Sequence, residues 1–278
     1  MTKLPDINPA DRTTPFTAVV LAGQRSRNDP VARASGVPCK AFAPVGGKPM
    51  VLRVLETLAA TAGIGKRILC GPDKSLLEQL PPLREAIDRG EVHWIPSEGT
   101  PSRSAAAALA ETPANAPVVL TTADHALLEP SVVRYFCNQA REGNHDVLFG
   151  LADAEEVMLA FPQTRRTRHR FRDGGYCGCN LFAFMNEPGR SAVSFWQRVE
   201  RHRKNPLRLV SELGAISVLR YVLGHLTLDQ ALRGLSHRAG ANTGAVLLPF
   251  PRAAIDVDTA RDLALVEKLL AMGSVGGP

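Results

Sequence analysis

Between Ala18 and Ala22 the chain is apolar without a break, and it then meets Gly23, Gln24 and two arginines, Arg25 and Arg27. Such a run reads as a buried strand, the kind found in a parallel sheet covered by helices. A glycine at the strand's end lets the backbone approach a ligand and adopt φ > 0 with no Cβ in the way. Backbone N–H groups in a turn of that kind can face phosphate oxygens. Cationic side chains can close over them, and Lys40 and Lys48 follow, the latter in Gly46-Gly47-Lys48-Pro49-Met50. The turn Leu21, Ala22, Gly23 and Gln24 is therefore a candidate phosphate-binding loop, with Arg25 and Lys40 as candidate catalytic cations. It is neither a P-loop nor a dinucleotide fingerprint, because Gly23 lacks the partner glycines that either requires.

The rest of the N-terminal half alternates in a way that fits this strand. Residues 16–22, 66–70, 92–95, 118–122 and 146–152 predict strands, whereas 49–62, 74–89 (broken at Pro81-Pro82), 102–111 and 130–141 predict helices. This β-α alternation predicts a three-layer α/β/α fold around a mostly parallel sheet. Beyond it the pattern changes. Residues 157–161 and 181–184 read as strands flanking an arginine-rich loop, 192–204, 207–223 and 227–235 as helices, 245–249 as a strand, and 259–271 as a closing helix capped by Asp258 or Thr259. The expected organisation is a loose leader over residues 1–15 and a single domain over 16–278, with an insertion at about 153–245.

Several classes of function are disfavoured. No apolar run is long enough to span a membrane, and the polar N-terminus lacks the apolar core of a signal peptide. The five cysteines show no zinc-site spacing, so reduced thiols in a cytoplasmic protein are expected. The net charge of +6 is concentrated in two clusters, Arg165 to Arg172 and Arg198 to Arg208. The first has Phe171 as its one aromatic, which makes nucleic acid the least favoured partner. A solvated basic loop explains either cluster as well as a functional role does. The apolar helical stretch at 207–235 suits the core or the interface of a homo-oligomer equally well.

Further residues point to chemistry. Asp124 ends the apolar run Val118 to Thr122, at the carboxyl end of a buried strand, where ligands bind in open α/β sheets; a turn or helix-cap aspartate is the competing role. Asp256 and Asp258 fall on one side of an extended segment. A carboxylate pair facing Asp124 suits Mg²⁺ or Mn²⁺, with Asp258 as the direct ligand and Asp256 as the alternative. Ser102 and Ser104 open an alanine-rich helix, and either can cap it or meet a ribose or base. Asn180 carries both a donor and an acceptor for a hydroxylated ligand. Arg170 and Arg172, just before it, can clamp a phosphate. His125, beside Asp124, reads as a loop histidine.

Together these segments resemble the molybdenum-cofactor-guanylyltransferase-like nucleotidyltransferases. The resemblance rests on Leu21-Ala22-Gly23 with its basic loop, on Lys40, and on Gly47-Lys48-Pro49-Met50. It extends to Thr122-Ala123-Asp124-His125-Ala126-Leu127-Leu128 and to Asp256-Val257-Asp258-Thr259-Ala260-Arg261-Asp262-Leu263. Gln24 stands where the family has a second glycine, and the family's arginine falls at Arg25 or Arg27. The resemblance implies a Rossmann-like sheet of the nucleotide-diphospho-sugar transferase (GT-A) type, with a helical insertion on the acceptor side. It implies transfer of a nucleoside monophosphate from an NTP to a phosphorylated small molecule, with release of pyrophosphate. Nucleotide contacts would come from Leu21, Ala22, Gly23, Gln24, Ser102 and Ser104, and metal contacts from Asp124 and Asp258 or Asp256. Acceptor contacts would come from Asn180, Arg170 and Arg172. The alternatives are a nucleotide-sugar-dependent glycosyltransferase, disfavoured because Thr122 and Ala126 stand where its second aspartate would be, and a non-catalytic nucleotide-binding protein.

Overall fold

The computed structural model describes residues 14–24, 28–202, 205, 208, 210, 212 and 214–274. At its centre is β1 (Phe16–Leu21), whose six residues are all buried. β1 pairs in parallel with β4 (Ile64–Cys70) on one side and β6 (Val118–Thr122) on the other. β5 (His93–Ile95) extends the sheet beyond β4. On the far side of β6 come β9 (Gly174–Phe184), β7 (Val147–Asp153) and β10 (Thr243–Leu247). β9 runs antiparallel between β6 and β7, and β8 (His169–Phe171) folds back on it as a hairpin. A separate two-residue pair, β2 (Pro44–Val45) and β3 (Lys48–Pro49), precedes α2.

Alternation along β1 assigns its side chains to two cores. Ala18 and Val20 face one, packed under α2 (Met50–Ala59) and α5 (Pro130–Glu142). Both helices bury one stripe, Met50, Val51, Val54, Leu55 and Leu58 in α2 and Val132, Val133, Phe136, Cys137 and Ala140 in α5. Val19 and Leu21 face the other core, covered by α4 (Pro101–Ala110) and α7 (Glu187–His202). Further helices are α1 (Pro30–Ser35), α3 (Pro81–Asp88), α6 (Ala154–Ala160), α8 (Ala215–Val222), α9 (Leu228–Ala239) and α10 (Ala260–Ser274). The expected three-layer α/β/α architecture is present, and all five thiols are buried and unbridged. No helix among the described residues is long and apolar enough to cross a membrane.

The chain turns both ways from β1, toward β4 and toward β6, so the carboxyl ends of β1 and β6 flank the crevice where ligands bind in such sheets. The later strands and helices depart from expectation in informative ways. Residues 157–161 are not a strand: 154–160 form α6, because Asp153 caps it by accepting from the N–H groups of Glu155 (2.7 Å) and Glu156 (3.1 Å). β9 is eleven residues long instead of four. Its pairing with β6 and β7 places part of the 153–245 stretch in the central sheet itself. Gly214, at φ 92°, stands at the start of α8, which then runs from 215 to 222. Ile216, Leu219 and Val222 of α8 are exposed.

Candidate active site

The turn after β1 is held from below on both sides. Ala22 N–H donates to Cys70 O (2.8 Å), and Ala123 N–H to Leu21 O (3.0 Å). A Cβ on Gly23 would stand 3.0 Å from Ser97 Cβ. Gly71, at φ +79°, packs so closely under Ala22 and Gly23 that its own Cβ would lie 3.1 Å from their backbone. Glycine at 23 and 71 thus lets three strand ends meet. Gln24 reaches across to Pro38 O (3.3 Å). Arg25, like the alternative Arg27, lies outside the described residues.

Lys40 opens a short 3-10 turn (Lys40–Phe42) that carries its side chain to the carboxyl end of β6. Its Nζ donates to Asp124 Oδ2 and to Asp258 Oδ1, both at 2.6 Å. Burial pulls the ammonium's pKa down, but the two carboxylates outweigh it and hold the pKa above the usual lysine value. Asp124 is further fixed by the Thr122 hydroxyl (2.5 Å), and its main-chain carbonyl accepts from Val257 N–H (3.1 Å). The two distant segments are thereby stitched together beside β1.

Asp256 takes different partners from Asp258. The Arg166 guanidinium donates to its carboxylate and to its main-chain carbonyl, and Asn180 Nδ2 donates to its other carboxylate oxygen at 2.5 Å. Burial, then the charge of Asp124, pushes this carboxyl above its ordinary pKa, opposed by Arg166. Asn180 holds a left-handed backbone conformation, φ 48°, which asparagine tolerates better than most residues. His125 is fully buried, and burial pulls its imidazole down to about 4, so it is neutral at physiological pH. It has no place in the cleft lining.

Leu21, Gly23, Gln24, Lys40, Asp124, Asn180, Asp256 and Asp258 line one cleft of about 360 Å³. Its far wall is Ser97, Gly99, Thr100, Pro101 and Ser104, with Leu120, Phe182 and Trp196 as an apolar floor. Phe182 and Trp196 stack at 5.8 Å with their planes 20° apart. The cap of α4 is Thr100, whose hydroxyl accepts from Arg103 N–H. Ser104 Oγ accepts from Glu98 N–H (2.9 Å), which shapes the loop. Ser102 is buried, and both its N–H (3.1 Å) and its hydroxyl donate to Glu200 of α7. Arg170 and Arg172 are exposed on the β8–β9 hairpin, outside the cleft lining. Lys48 pairs with Glu56 (2.5 Å).

Sequence reasoning missed Arg166, Glu200 and the Phe182–Trp196 pair. Nothing set Arg166 apart from the basic residues around it, and the two aromatics carried no motif. A larger groove, about 760 Å³, runs along the β4–β5 edge by Lys66, Lys74, Arg84 and Trp94, but it holds none of the strand-end carboxylates.

Among the described residues no three His, Cys, Asp or Glu side chains converge as a metal cluster. Asp124 and Asp258 do converge, with one oxygen of each 2.6 Å from a single cationic nitrogen. One or two carboxylates, completed by phosphate oxygens and water, are the donor set that Mg²⁺ takes in phosphoryl-transfer sites, and this pair has that chemistry.

Residues 18–240 match the family described as the MobA-like NTP transferase domain, and the chain belongs to that family. No curated protein matches the sequence. Among solved structures, one described as a hypothetical transferase from Thermus thermophilus is similar at 29% identity and TM-score 0.74, over 90% of this chain and 99% of that one. The 4-diphosphocytidyl-2C-methyl-D-erythritol synthase of Anaerococcus prevotii shares the fold at 12% identity and TM-score 0.59, over 95% of this chain and 100% of that one. A CMP:2-keto-3-deoxy-manno-octonic acid synthetase complexed with CTP does so at 15% identity and TM-score 0.57, over 94% and 100%.

Proposed function

We propose that this MobA-like NTP transferase moves a nucleoside monophosphate from an NTP to a phosphorylated small molecule in a reaction that depends on Mg²⁺ or Mn²⁺. The acceptor is a sugar phosphate, a polyol phosphate or a cofactor precursor. An acceptor phosphate oxygen bonds to the α-phosphorus, the α–β bridging bond breaks, and pyrophosphate leaves with the bond's electron pair. The nucleophile is already anionic, so no general base is required, which accords with the buried neutral state of His125. The demand is to align two polyanions and offset the charge that gathers on the leaving group.

On this reading the turn beyond Ala22, whose own N–H is spent on Cys70, offers backbone N–H groups to the β- and γ-phosphates. Lys40 brings its ammonium to the same oxygens when it leaves the aspartates, and Arg25 supplies a second cation. Asp124 and Asp258 hold the metal, which when bound neutralises phosphate charge and orients the α-phosphate. The wall at Ser97 to Ser104 takes the nucleoside, and Asn180 faces a hydroxyl of the acceptor. Arg166, rather than Arg170 or Arg172, is the arginine of the basic cluster that reaches this site. The names of two structural neighbours, a 4-diphosphocytidyl-2C-methyl-D-erythritol synthase and a CMP:2-keto-3-deoxy-manno-octonic acid synthetase complexed with CTP, are in keeping with a nucleotide as one substrate.

The observation that carries the proposal is the convergence of Asp124 and Asp258 on Lys40 at the open end of β1 and β6. Its test is the thermal midpoint of the purified protein with ATP, GTP, CTP and UTP, each with and without Mg²⁺. A metal-dependent rise with one nucleotide, lost in Asp124→Ala, is expected. No rise with any of the four would refute the site.

A further inference from the structure

Asp258 has a side chain 64% exposed, so little packing fixes it where it meets Lys40. The backbone on either side of it is anchored, and one arginine contacts both ends. Arg166 has a side chain only 10% exposed. Its guanidinium donates to the carboxylate and the main-chain carbonyl of Asp256, two residues before Asp258. Its Nη2 also lies 3.9 Å from Asp262 Oδ1, four residues after. The other oxygen of Asp262 accepts from Asp258 N–H (3.2 Å), Thr259 N–H (2.8 Å) and the Thr259 hydroxyl (2.8 Å). The planar fork of arginine suits such a two-ended grip, and a lysine would not reproduce it.

We propose that Arg166 is a positioning residue: by bracketing the 256–262 segment it holds the Asp258 carboxylate against Asp124 in the geometry that binds a divalent cation. The inference rests on the metal-site reading of Asp124 and Asp258. Arg166 itself touches neither metal nor substrate. It stands in the segment between α6 and β8, the part of the chain that ends in the hairpin on β9 and Asn180. A change in that segment would therefore be felt at the metal. This differs from a clamp on an acceptor phosphate, because both Nη groups of Arg166 are already committed to Asp256.

The test is Mn²⁺ binding, read by the loss of the free-ion electron paramagnetic resonance signal, with no substrate present. Lys40→Met serves as the background, since removing the ammonium opens the space between the carboxylates. Lys40→Met is expected to bind one Mn²⁺. Adding Arg166→Met should weaken that binding at least about tenfold, the loss typical when a group that orients a metal ligand is removed. Arg166→Lys should fall between the two. Circular dichroism at the assay temperature establishes that each variant is folded, and if Arg166→Met is not, Arg166→Lys alone decides, by weakening Mn²⁺ or leaving it unchanged. Mn²⁺ affinity within twofold of the Lys40→Met background would overturn the assignment. So would a loss of inorganic phosphate binding with Mn²⁺ affinity unchanged, the signature of a phosphate clamp. Absence of Mn²⁺ binding in Lys40→Met itself would overturn the metal-site reading, and this inference with it.

Discussion

Lys40→Met is the most direct probe of the site, because the structure gives Lys40 two roles that pull in opposite directions. In the ligand-free protein its ammonium bridges Asp124 and Asp258, with side chains 21%, 19% and 64% exposed for Lys40, Asp124 and Asp258 respectively. Breaking a fully buried pair costs about 3–5 kcal/mol. Asp124 is partly wet and keeps the Thr122 hydroxyl, while Asp258 is mostly exposed and adds little. The expected loss is therefore about 2 kcal/mol, or roughly 3–4 °C in thermal midpoint for a chain of this size. The contribution persists through neutral pH. The folded-state pKa of Lys40 is raised above 10.5, so the stability it lends is complete below that value and lost as pH climbs past the raised pKa. Divalent cation should then rescue the variant. With Mg²⁺ at about ten times its dissociation constant, the gain is about 1.4 kcal/mol. Wild type should gain less, because its own ammonium competes. The assay is urea unfolding followed by circular dichroism, in chelator and then in Mg²⁺. A variant as stable as wild type in chelator, or equal gains from Mg²⁺ in both proteins, would refute the reasoning.

Other perturbations follow from the same structure. His125 is depressed from 6.5 to about 4, so the stability tied to its neutrality is present above pH 6.5 and lost as pH falls through 4. The loss is about 3 kcal/mol over that window, and urea titrations of His125→Gln at several pH values should show a flatter acid limb than wild type. Arg190 donates to the carbonyls of Leu109 (2.8 Å), Thr112 (3.0 Å), Ala116 (2.9 Å) and Pro113, tying α7 to the end of α4. Arg190→Met should cost about 2–3 kcal/mol in calorimetry while leaving metal binding unaltered. Gly23→Ala would press a methyl against Ser97 at 3.0 Å. It should weaken binding of the cognate NTP by about tenfold in isothermal titration, with stability lowered by only about 1 kcal/mol.

The features legible in the sequence are those in which one short segment carries its own signal. β1 and β6 read correctly because strands buried on both faces are continuous apolar runs, and the residues that end them, Gly23 and Asp124, sit where such sheets bind ligands. The final Asp256-Val257-Asp258 was visible as a pair. Its division of labour was not, since the partners Arg166, Asn180 and Lys40 come from 76 to 218 residues away. Residues 157–161 misled because a five-residue apolar run fits helix and strand alike; the deciding signal was the capping Asp153 upstream with glutamates behind it. β9 was legible only at its apolar end. Its first half, Gly174 to Cys179, has no strand pattern of its own and is extended because β7 and β8 pair with it.

The balance of charge in the cleft bears on the order in which ligands enter. Among the described residues its lining carries four carboxylates, Asp29, Asp124, Asp256 and Asp258, against one ammonium, Lys40. Asp29 is partly spent on capping α1, and Asp256 is matched by Arg166. That leaves Asp124 and Asp258 sharing Lys40. If Lys40 turned alone toward an incoming triphosphate, it would leave two adjacent carboxylates facing a polyanion, and like charges at such distances repel strongly where water is partly excluded. A divalent cation arriving with the triphosphate would remove the conflict, since Asp124 and Asp258 would hold it while Lys40 follows the phosphates. On the proposed reading, metal and nucleotide therefore bind as one complex. Affinity for the NTP in chelator should be weak in wild type and weaker still in Lys40→Met, whereas Asp124→Asn, with one repelling charge gone, should bind metal-free NTP more tightly than wild type does. Tighter metal-free binding in Lys40→Met than in Asp124→Asn would show that the carboxylates do not oppose the phosphates, and the ordering would fall.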